Sequence, residues 1–308
     1  MKQLCMRLFL VVSLIIAGLT GSAFAAVAPE PPVNLTTMQW VGHNFVFLAL
    51  PADKQSDGYG IFPADQAAQG FTEDRSVRLP YLPNVGKLVT VTDVTAYTAG
   101  DNKYDYVISM TELGTGFKFV GRTIRGSLEG LAPAEDIVAA RKQFLGKTIY
   151  PKRRSLEAVN AQSGGLDPSS VTIRVGSAVT VTDVYAGIQS REPVWLIVAA
   201  NGQKALLPIA YSWTNQTVNT WTQTPPWQSA LFMDDPRTSL GWSAALWNQI
   251  ESGTVREGMT KEQIRLSWGP PNRVDHGNTG SVWFYGSQIL KFTGDTLTSI
   301  EPAVKQTN

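Results

Sequence analysis

A ten-residue segment that occurs twice constrains the fold more than any other feature of this chain. The segment VGKLVTVTDV begins at Val85, and VGSAVTVTDV begins 90 residues later at Val175, with eight of ten positions identical. In both copies Val alternates with Thr or Asp, and this period of two predicts a strand with one buried face. The chain therefore contains two copies of one β module, and its fold must accommodate both.

The residues that follow each segment complete the module. Further strands are expected over residues 104–110 and 117–120 in the first copy, and over residues 194–200 and 205–209 in the second. In both copies a glycine-containing turn separates these two strands, so each module is predicted to be a run of antiparallel neighbours.

A weaker similarity precedes the repeated segments. Residues 40–47 resemble residues 144–150, but they lie farther from the repeated segment in the first copy than in the second. An insertion within residues 53–76 explains the difference, because loops lengthen at small entropic cost. Before the second copy, apolar residues at helical spacing predict a helix over residues 134–145.

Short strands separated by glycine-containing turns favour a small barrel or a curled sheet. The pattern Gly-x-x-Val-x-Val, a loop, and the strand that contains Trp195 resembles the bacterial SH3-like modules of envelope proteins. That resemblance implies a binding groove, whereas a generic antiparallel repeat has no inherited binding role, and both interpretations are open. Aromatic residues in strands also commonly belong to the core. The candidate groove residues are Tyr97, Tyr104 and Tyr106 in the first copy, and Tyr185 and Trp195 in the second.

Beyond the repeats, residues 253–274 specify a short helix through local chemistry. Thr260 as the N-cap places Gln263 at the third helical position, where the two side chains can satisfy backbone donors in a capping box. Met259 and Ile264 occupy the two positions of a hydrophobic staple. We expect this helix to fix the angle between itself and a preceding helix.

The remaining C-terminal pattern completes the predicted fold class. The preceding helix is expected to be capped by Ser239 or Ser243. Residues 282–285, 289–292 and 297–300 predict three strands joined by two-residue turns that contain glycine. The predicted class is α+β and multidomain: two small antiparallel SH3-like β-barrel repeats, followed by a helical hairpin packed on a three-stranded antiparallel sheet.

Residues 246–300 also resemble a known family. The motif consists of Gly258-Met259-Thr260-x-x-Gln263, then Gly269-x-Pro271, then Trp283-x-Tyr285. It is similar to the BamE-like domain, also called SmpA/OmlA, which shares its fold with β-lactamase inhibitor protein. The resemblance implies an exported, non-catalytic domain that binds proteins. This chain departs from the family in having Trp268 at a usually aliphatic position, no cysteine at the cleavage point, and two added β modules.

The first 25 residues predict export. Lys2 and Arg7 precede an apolar run over residues 8–19, and small residues surround a cut after Ala25, as in a cleavable signal peptide. We therefore expect a periplasmic or secreted protein without a membrane span after signal removal. Because Cys5 is the sole cysteine, the mature chain can form neither disulfides nor thiolate zinc sites.

Six segments follow from these patterns. The predicted organisation is a signal peptide over residues 1–25, the first β repeat with its insertion over 26–130, a helix and the second repeat over 131–220, a linker over 221–228, the BamE-like domain over 229–301, and a tail over 302–308.

The sequence offers little catalytic chemistry. A general base is most often His, and the chain has only His43 and His276. His43 lies in an apolar strand and is expected to be a buried or edge residue, whereas His276 follows Asp275 in either a plain turn or an acid–base or metal pair. Adjacent carboxylates such as Asp234-Asp235 and Glu135-Asp136 suit turns and helix starts. No nucleophile elbow, zinc-binding helix motif or phosphate loop is present, and we expect no cofactor.

Charge disfavours one class of partner. The chain has 26 Lys and Arg against 25 Asp and Glu, and loss of Lys2 and Arg7 leaves a net charge close to −1. Nucleic acid is therefore not an expected partner, because phosphate binding depends on clustered basic residues.

Three functions are compatible with these observations. The favoured one is a non-catalytic interaction module of the bacterial envelope that binds a protein or a cell-wall polymer. The others are a cell-wall or glycan hydrolase that uses carboxylates from different modules, and an inhibitor of a secreted enzyme. For the favoured function the candidate binding residues also include Trp221 and Trp227, which flank the linker and alternatively pack the modules together.

Overall fold

The computed structural model describes residues 35–71, 75–98, 100, 104–124, 126, 128, 130–160, 165–188, 192–214, 226–277 and 280–303. The predicted signal peptide and Trp221 lie outside these residues. The chain divides into two compact units. The first unit consists of Met1–Thr148, Leu156–Val171 and Val179–Ser229, and the second consists of Ile149–Ser155, Thr172–Ala178 and Ala230–Asn308.

Strands account for most of the regular structure. They are β1 (Asn44–Phe47), β2 (Ile61–Pro63), β3 (Leu88–Thr98), β4 (Tyr104–Glu112), β5 (Lys118–Thr123), β6 (Leu131–Pro133), β7 (Thr148–Pro151), β8 (Ser155–Asn160), β9 (Gly165–Thr172), β10 (Val179–Ile188), β11 (Glu192–Ala200), β12 (Gln203–Ile209), β13 (Leu231–Phe232), β14 (Arg273–His276), β15 (Gly280–Tyr285), β16 (Gln288–Thr293) and β17 (Thr296–Pro302).

The helices are short. The α-helices are α1 (Ala67–Gly70), α2 (Tyr81–Asn84), α3 (Ala134–Phe144), α4 (Pro236–Ser239), α5 (Ala244–Glu251) and α6 (Lys261–Trp268). Single 3₁₀ turns occur at Thr37–Trp40, Ala52–Lys54, Ala64–Gln66, Arg75–Val77 and Trp227–Ser229.

The predicted α+β class is wrong, because the described residues are mostly β. The first repeat belongs to a six-stranded antiparallel sheet in the order β2-β5-β4-β3-β1-β6, not to a small separate barrel. The expected hairpin helices, α5 and α6, have only eight residues each, and the C-terminal sheet has four strands, β14-β15-β16-β17, not three. Strands β2, β6 and β14 have three or four residues and no clear alternation, so their sequences carry no recognisable strand pattern.

The repeated segments form equivalent strands, β3 and β10. Each has a β-bulge at the same place, between Val91 and Asp93 in β3 and between Val181 and Asp183 in β10. In the second repeat the neighbouring strands follow the order β10-β11-β12-β8-β9, and β3-β4-β5-β2 is the corresponding run in the first. Because a bulge fixes register and twist, its presence in both copies shows that they share backbone geometry as well as sequence.

The period-two pattern determines which face of each repeat is buried. In β3, Val89 and Val91 are fully buried, and in β10 Val181 and Val184 are. The first repeat closes over one apolar cluster, which consists of Leu35, Trp40, Phe45, Phe47, Leu50, Tyr59, Ile61, Leu79, Val89, Val91, Val94, Ile108, Met110, Phe119 and Leu128. Burial of aromatic and branched side chains on this scale is the main source of stability for the sheet.

Each repeat is entered through the same turn. The Gly42 amide donates to Val91 O at 2.8 Å, and the Gly146 amide donates to Val181 O at 2.9 Å. Both glycines have a positive φ, 86° and 73°, which a residue with a Cβ rarely adopts. The segment before this turn differs between the repeats: it is the one-turn 3₁₀ helix Thr37–Trp40 in the first and the eleven-residue helix α3 in the second.

In the second unit, the predicted local chemistry of helix α6 is confirmed. The Gln263 amide donates to the Thr260 hydroxyl at 3.3 Å, and the Thr260 amide donates to Gln263 Oε1 at 2.9 Å, which is the capping box. Ser243 caps α5 in the same way through the Leu246 amide at 3.2 Å. Both helices therefore begin where their cap residues specify.

The second unit has its own apolar core. Met259 and Ile264 are both buried there, as the predicted staple requires. Val175 also belongs to this core, and β13 pairs with β7, so residues from three stretches of the chain build the unit. The buried members are Val175, Trp247, Ile250, Met259, Ile264, Leu266, Trp283, Leu290, Phe292 and Leu297.

Candidate functional site

The end of the β3–β4 hairpin in the first repeat exposes aromatic side chains. Tyr97 is 56% exposed and Tyr104 is 49% exposed, although both lie in strands. Tyr104 pairs with Thr98 across the ladder, and its ring centroid lies 6.1 Å from that of the half-buried Tyr106 at an interplanar angle of 40°. Exposed aromatics of this size are typical anchors of binding surfaces.

A charged pair lies beside Tyr97. Asp105 is the cross-strand partner of Tyr97, and Arg122 Nε donates to Asp105 Oδ2 at 2.6 Å. The hydrogen bond that Arg122 donates to Asp105 raises the pKa of Arg122 above its ordinary value. Asp105 is only 8% exposed, and its Oδ1 has no hydrogen-bond partner among the described residues. The hairpin end therefore combines apolar rings with a hydrogen-bond acceptor that has unused capacity.

A second exposed apolar group lies at the β4–β5 turn. Leu113 and Phe117 flank this turn and are mostly exposed, and the Phe117 ring stacks on Phe119 with centroids 6.5 Å apart and planes 9° apart. Sequence reasoning did not select these two residues. The available signal was the sequence LGTGF, in which apolar residues border a glycine turn that no strand neighbour can cover.

The candidate aromatic side chains of the second repeat, Tyr185 and Trp195, are partly covered by other residues of the fold. Tyr185 and Trp195 are direct cross-strand partners and are both half-buried. The Tyr185 hydroxyl donates to Asp183 Oδ2 at 2.7 Å, and Arg141 Nη2 donates to Asp183 Oδ1 at 2.5 Å. Burial, followed by the hydrogen bond to Asp183, raises the pKa of Tyr185 to about 12. These aromatic side chains are therefore less accessible to a ligand than Tyr97 and Tyr104 are.

Trp227 packs inside the first unit. Its ring meets the buried Phe144 at 5.2 Å in an edge-to-face arrangement, and Phe144 also contacts Tyr211 at 5.7 Å. Trp227 is half-buried as a result. The other candidate at the linker, Trp221, lies outside the described residues, so the structure assigns it no position.

One carboxylate in the first unit is almost fully buried. Asp136, 2% exposed, lies in the first turn of α3 and accepts hydrogen bonds from the amides of Trp213 and Thr214 at 2.6 and 2.8 Å. The hydroxyls of Ser212 and Thr214 donate to it as well. Burial raises the pKa of Asp136 to about 6, although these donors oppose the effect. The carboxylate therefore holds residues 212–214 against the first turn of α3.

Among the described residues, neither histidine is hydrogen-bonded to a nucleophilic side chain. His43 Nδ1 lies 2.9 Å from Glu135 Oε1, and both side chains are partly exposed. His276 is the last residue of β14, opposite Ser281, and its side chain is exposed. The expected turn at His276 is therefore wrong, because His276 belongs to strand β14.

The described residues contain no group of three or more His, Cys, Asp or Glu side chains that could hold a metal ion. Within them, no helix is both long enough and apolar enough to cross a membrane.

The end of the β3–β4 hairpin exposes Tyr97, beside the Asp105–Arg122 pair, on one face of the sheet and Tyr104 on the other, because successive side chains of a strand alternate between faces. We call these four residues the hairpin surface. Its composition resembles that of a binding anchor, and its residues show no arrangement of nucleophile, base and oxyanion donors. Comparison with protein-family models, with curated proteins and with solved structures gives no match for this chain.

Proposed function

We propose that this protein is an exported, non-catalytic component of the bacterial envelope that binds another envelope component, a protein or a cell-wall polymer, through the hairpin surface. The observation that carries the proposal is the exposure of Tyr97 and Tyr104 in regular strands of a repeat whose second copy keeps its aromatics half-buried. Exposed rings are unfavourable in water unless a partner covers them, so their retention in one copy favours binding there.

Two further observations support the proposal. The first 25 residues have the pattern of a signal peptide, which predicts export, and the Gly258-Met259-Thr260 motif resembles that of a family of exported protein-binding domains. Three of the described carboxylates are also used inside the fold: Asp136 accepts hydrogen bonds from backbone amides, and Asp105 and Asp183 pair with arginines. A binding role requires no additional reactive group.

The test is retention of envelope components by the immobilised mature chain. A Tyr97→Ser, Tyr104→Ser double variant removes the rings and leaves the ladder intact, and Leu82→Ser is the matched control because Leu82 is also exposed in the first unit. We expect a protein or a peptidoglycan fraction to be retained by the wild type and the control, and its retention to fall by about tenfold or more in the double variant. Equal retention by all three chains contradicts the proposal.

A further inference from the structure

The two repeats carry the same bulged strand but cover its outer edge differently. Asp93 and Asp183 follow the bulge at equivalent positions of β3 and β10. Asp183 is half-buried and has a cationic partner, whereas Asp93 is exposed. The second repeat therefore shows which contacts this strand edge accepts.

In the second repeat, helix α3 covers the edge. Arg141 Nη2 donates both to Asp183 Oδ1, at 2.5 Å, and to the backbone carbonyl oxygen of Val184, at 3.2 Å. Farther along the same strand, the Ala49 amide donates to Gly187 O at 3.0 Å. One guanidinium thus satisfies a carboxylate and a strand carbonyl together, which its planar fork of donors permits.

In the first repeat, the single 3₁₀ turn Thr37–Trp40 contacts β3 where helix α3 contacts β10, so the equivalent edge has a shorter cover. Strand β1 pairs with β3 over Leu88 to Thr90, and the last backbone bonds on that side involve Val91. When the two entry turns are aligned at Gly42 and Gly146, the position of Arg141 falls on Thr37, at the start of a single 3₁₀ turn.

The Asp93 carboxylate is consequently left without a cation. Among the residues that the structure describes, only the Thr95 hydroxyl donates to it, at 3.0 Å, and no Lys or Arg pairs with it. The side chains of Asp93, Thr95, Ala96, Tyr97 and Thr98 are all exposed. An edge with free backbone groups, a free carboxylate and an exposed ring is a template for a docked segment.

We infer that residues 93–98 of β3 dock an arginine-bearing helix of a partner protein, with its guanidinium on Asp93 and the carbonyl of Val94 and its apolar face against Tyr97. This inference rests on the proposed binding function and specifies the partner as a protein. A second copy of this chain is not the occupant, because its own α3 is held in place by Asp183 and Asp136. The negative charge of Asp93 calls for a cation. Arg suits the site better than Lys, because only the planar guanidinium can donate to the carboxylate and the carbonyl together.

The chain itself supplies the probe. A peptide of residues 134–146 carries the contacts of α3, and a staple between positions 138 and 142, both exposed on α3, keeps it helical, since so short a helix is marginal alone. Binding of the labelled peptide to the full mature chain is measured by fluorescence anisotropy. The matched peptide has Arg141→Gln. The matched proteins are Asp93→Asn and Asp65→Asn, since Asp65 is exposed in the same unit.

We expect saturable binding to the wild type and to Asp65→Asn. Binding should weaken by about tenfold or more with Asp93→Asn or with the Arg141→Gln peptide, because a hydrogen bond between charged groups is lost. Absent saturable binding, or equal binding to wild type and Asp93→Asn, overturns the inference. In one outcome, the chain retains an envelope component through Tyr97 and Tyr104 but does not bind the peptide. This outcome refutes the arginine-helix inference and remains consistent with the proposed function. Retention of cell-wall polymer alone also counts against the inference.

Discussion

Arg154 donates to the backbone carbonyl oxygen of Ser267 through Nη2 at 2.8 Å and through Nε at 3.2 Å, at the carboxyl end of helix α6. The same guanidinium donates to the carbonyls of Ile250 and Glu251 at the carboxyl end of α5. The last carbonyls of a helix lack intrahelical partners and carry partial negative charge. One side chain therefore donates to carbonyls at the ends of both α5 and α6.

Replacing Arg154 should destabilise the second unit more than any nearby surface change. Arg154→Met removes every donor while keeping much of the side-chain volume, and we expect a loss of about 2–4 kcal/mol in the free energy of unfolding. Arg154→Lys should restore part of this, since one ammonium cannot reach both helix ends. The measurement is urea unfolding followed by tryptophan fluorescence. Arg153→Met is the neighbouring control, and equal losses for the two Met variants would show that the bridge contributes nothing.

The capping box gives a second, smaller effect. Thr260→Ala deletes the hydroxyl that accepts the Gln263 amide, and the expected cost is about 1 kcal/mol. Thr260→Ser keeps the hydroxyl and should lose only a few tenths of that. The difference between these two variants in the same denaturation assay isolates the cap from the backbone bridge that Thr260 forms with Thr296. Equal losses in the free energy of unfolding for the Ala and Ser variants would show that the cap does not contribute to stability.

Stability of the first unit should depend on the protonation of Asp136. Its folded pKa of about 6 lies above the ordinary value of 3.8, so the folded unit holds a proton that the unfolded chain has already released between those values. This contribution is complete below about pH 4 and is lost as the pH rises through about 6, amounting to about 3 kcal/mol. Relative to Asp136→Asn, the wild type should lose that amount between pH 4 and 7 in chemical unfolding. Parallel pH profiles for the two chains would contradict the assignment.

Gly58 and Gly42 allow a matched comparison in the first unit. Both have a positive φ, 71° and 86°, but a Cβ at Gly58 would lie 2.2 Å from Leu79 O, whereas nothing lies within 4 Å of one at Gly42. Gly42→Ala should therefore cost about 1 kcal/mol from backbone strain alone. Gly58→Ala should cost about 2–4 kcal/mol, because a clash with backbone adds to that strain. Thermal unfolding of both variants tests the order, and equal shifts would refute the steric argument.

The sequence predicted the features that depend on neighbouring residues. The alternating Val residues specify β3 and β10, and the hydroxyl of Thr260 specifies the start of α6, since both signals act within a few residues. Helix α3 was likewise predicted over its full length, and it ends at Phe144, one residue before the predicted end.

Features that depend on distant residues were not predictable in this way. Strands β2 and β6 both end in Pro and exist because β5 and β1 lie beside them. Asp136 was correctly expected at a helix start, but its main partner, Thr214, lies 78 residues away. Tyr97 and Tyr185 were both candidates in the sequence, but Tyr185 donates to Asp183, which Arg141 of α3 also contacts, whereas Tyr97 is exposed. Long-range contacts therefore decide which of several similar residues remain accessible.

The assembly of the second unit from separate stretches limits how this protein can be rearranged. Arg154 and Val175 both come from short excursions of the chain that interrupt the second repeat. A gene fusion that carried only the last stretch to another protein would leave both residues behind, with two helix ends unsatisfied and a gap in the core. We therefore expect recombination to transfer the second unit intact only when it also transfers the second repeat, whose sequence surrounds Arg154 and Val175.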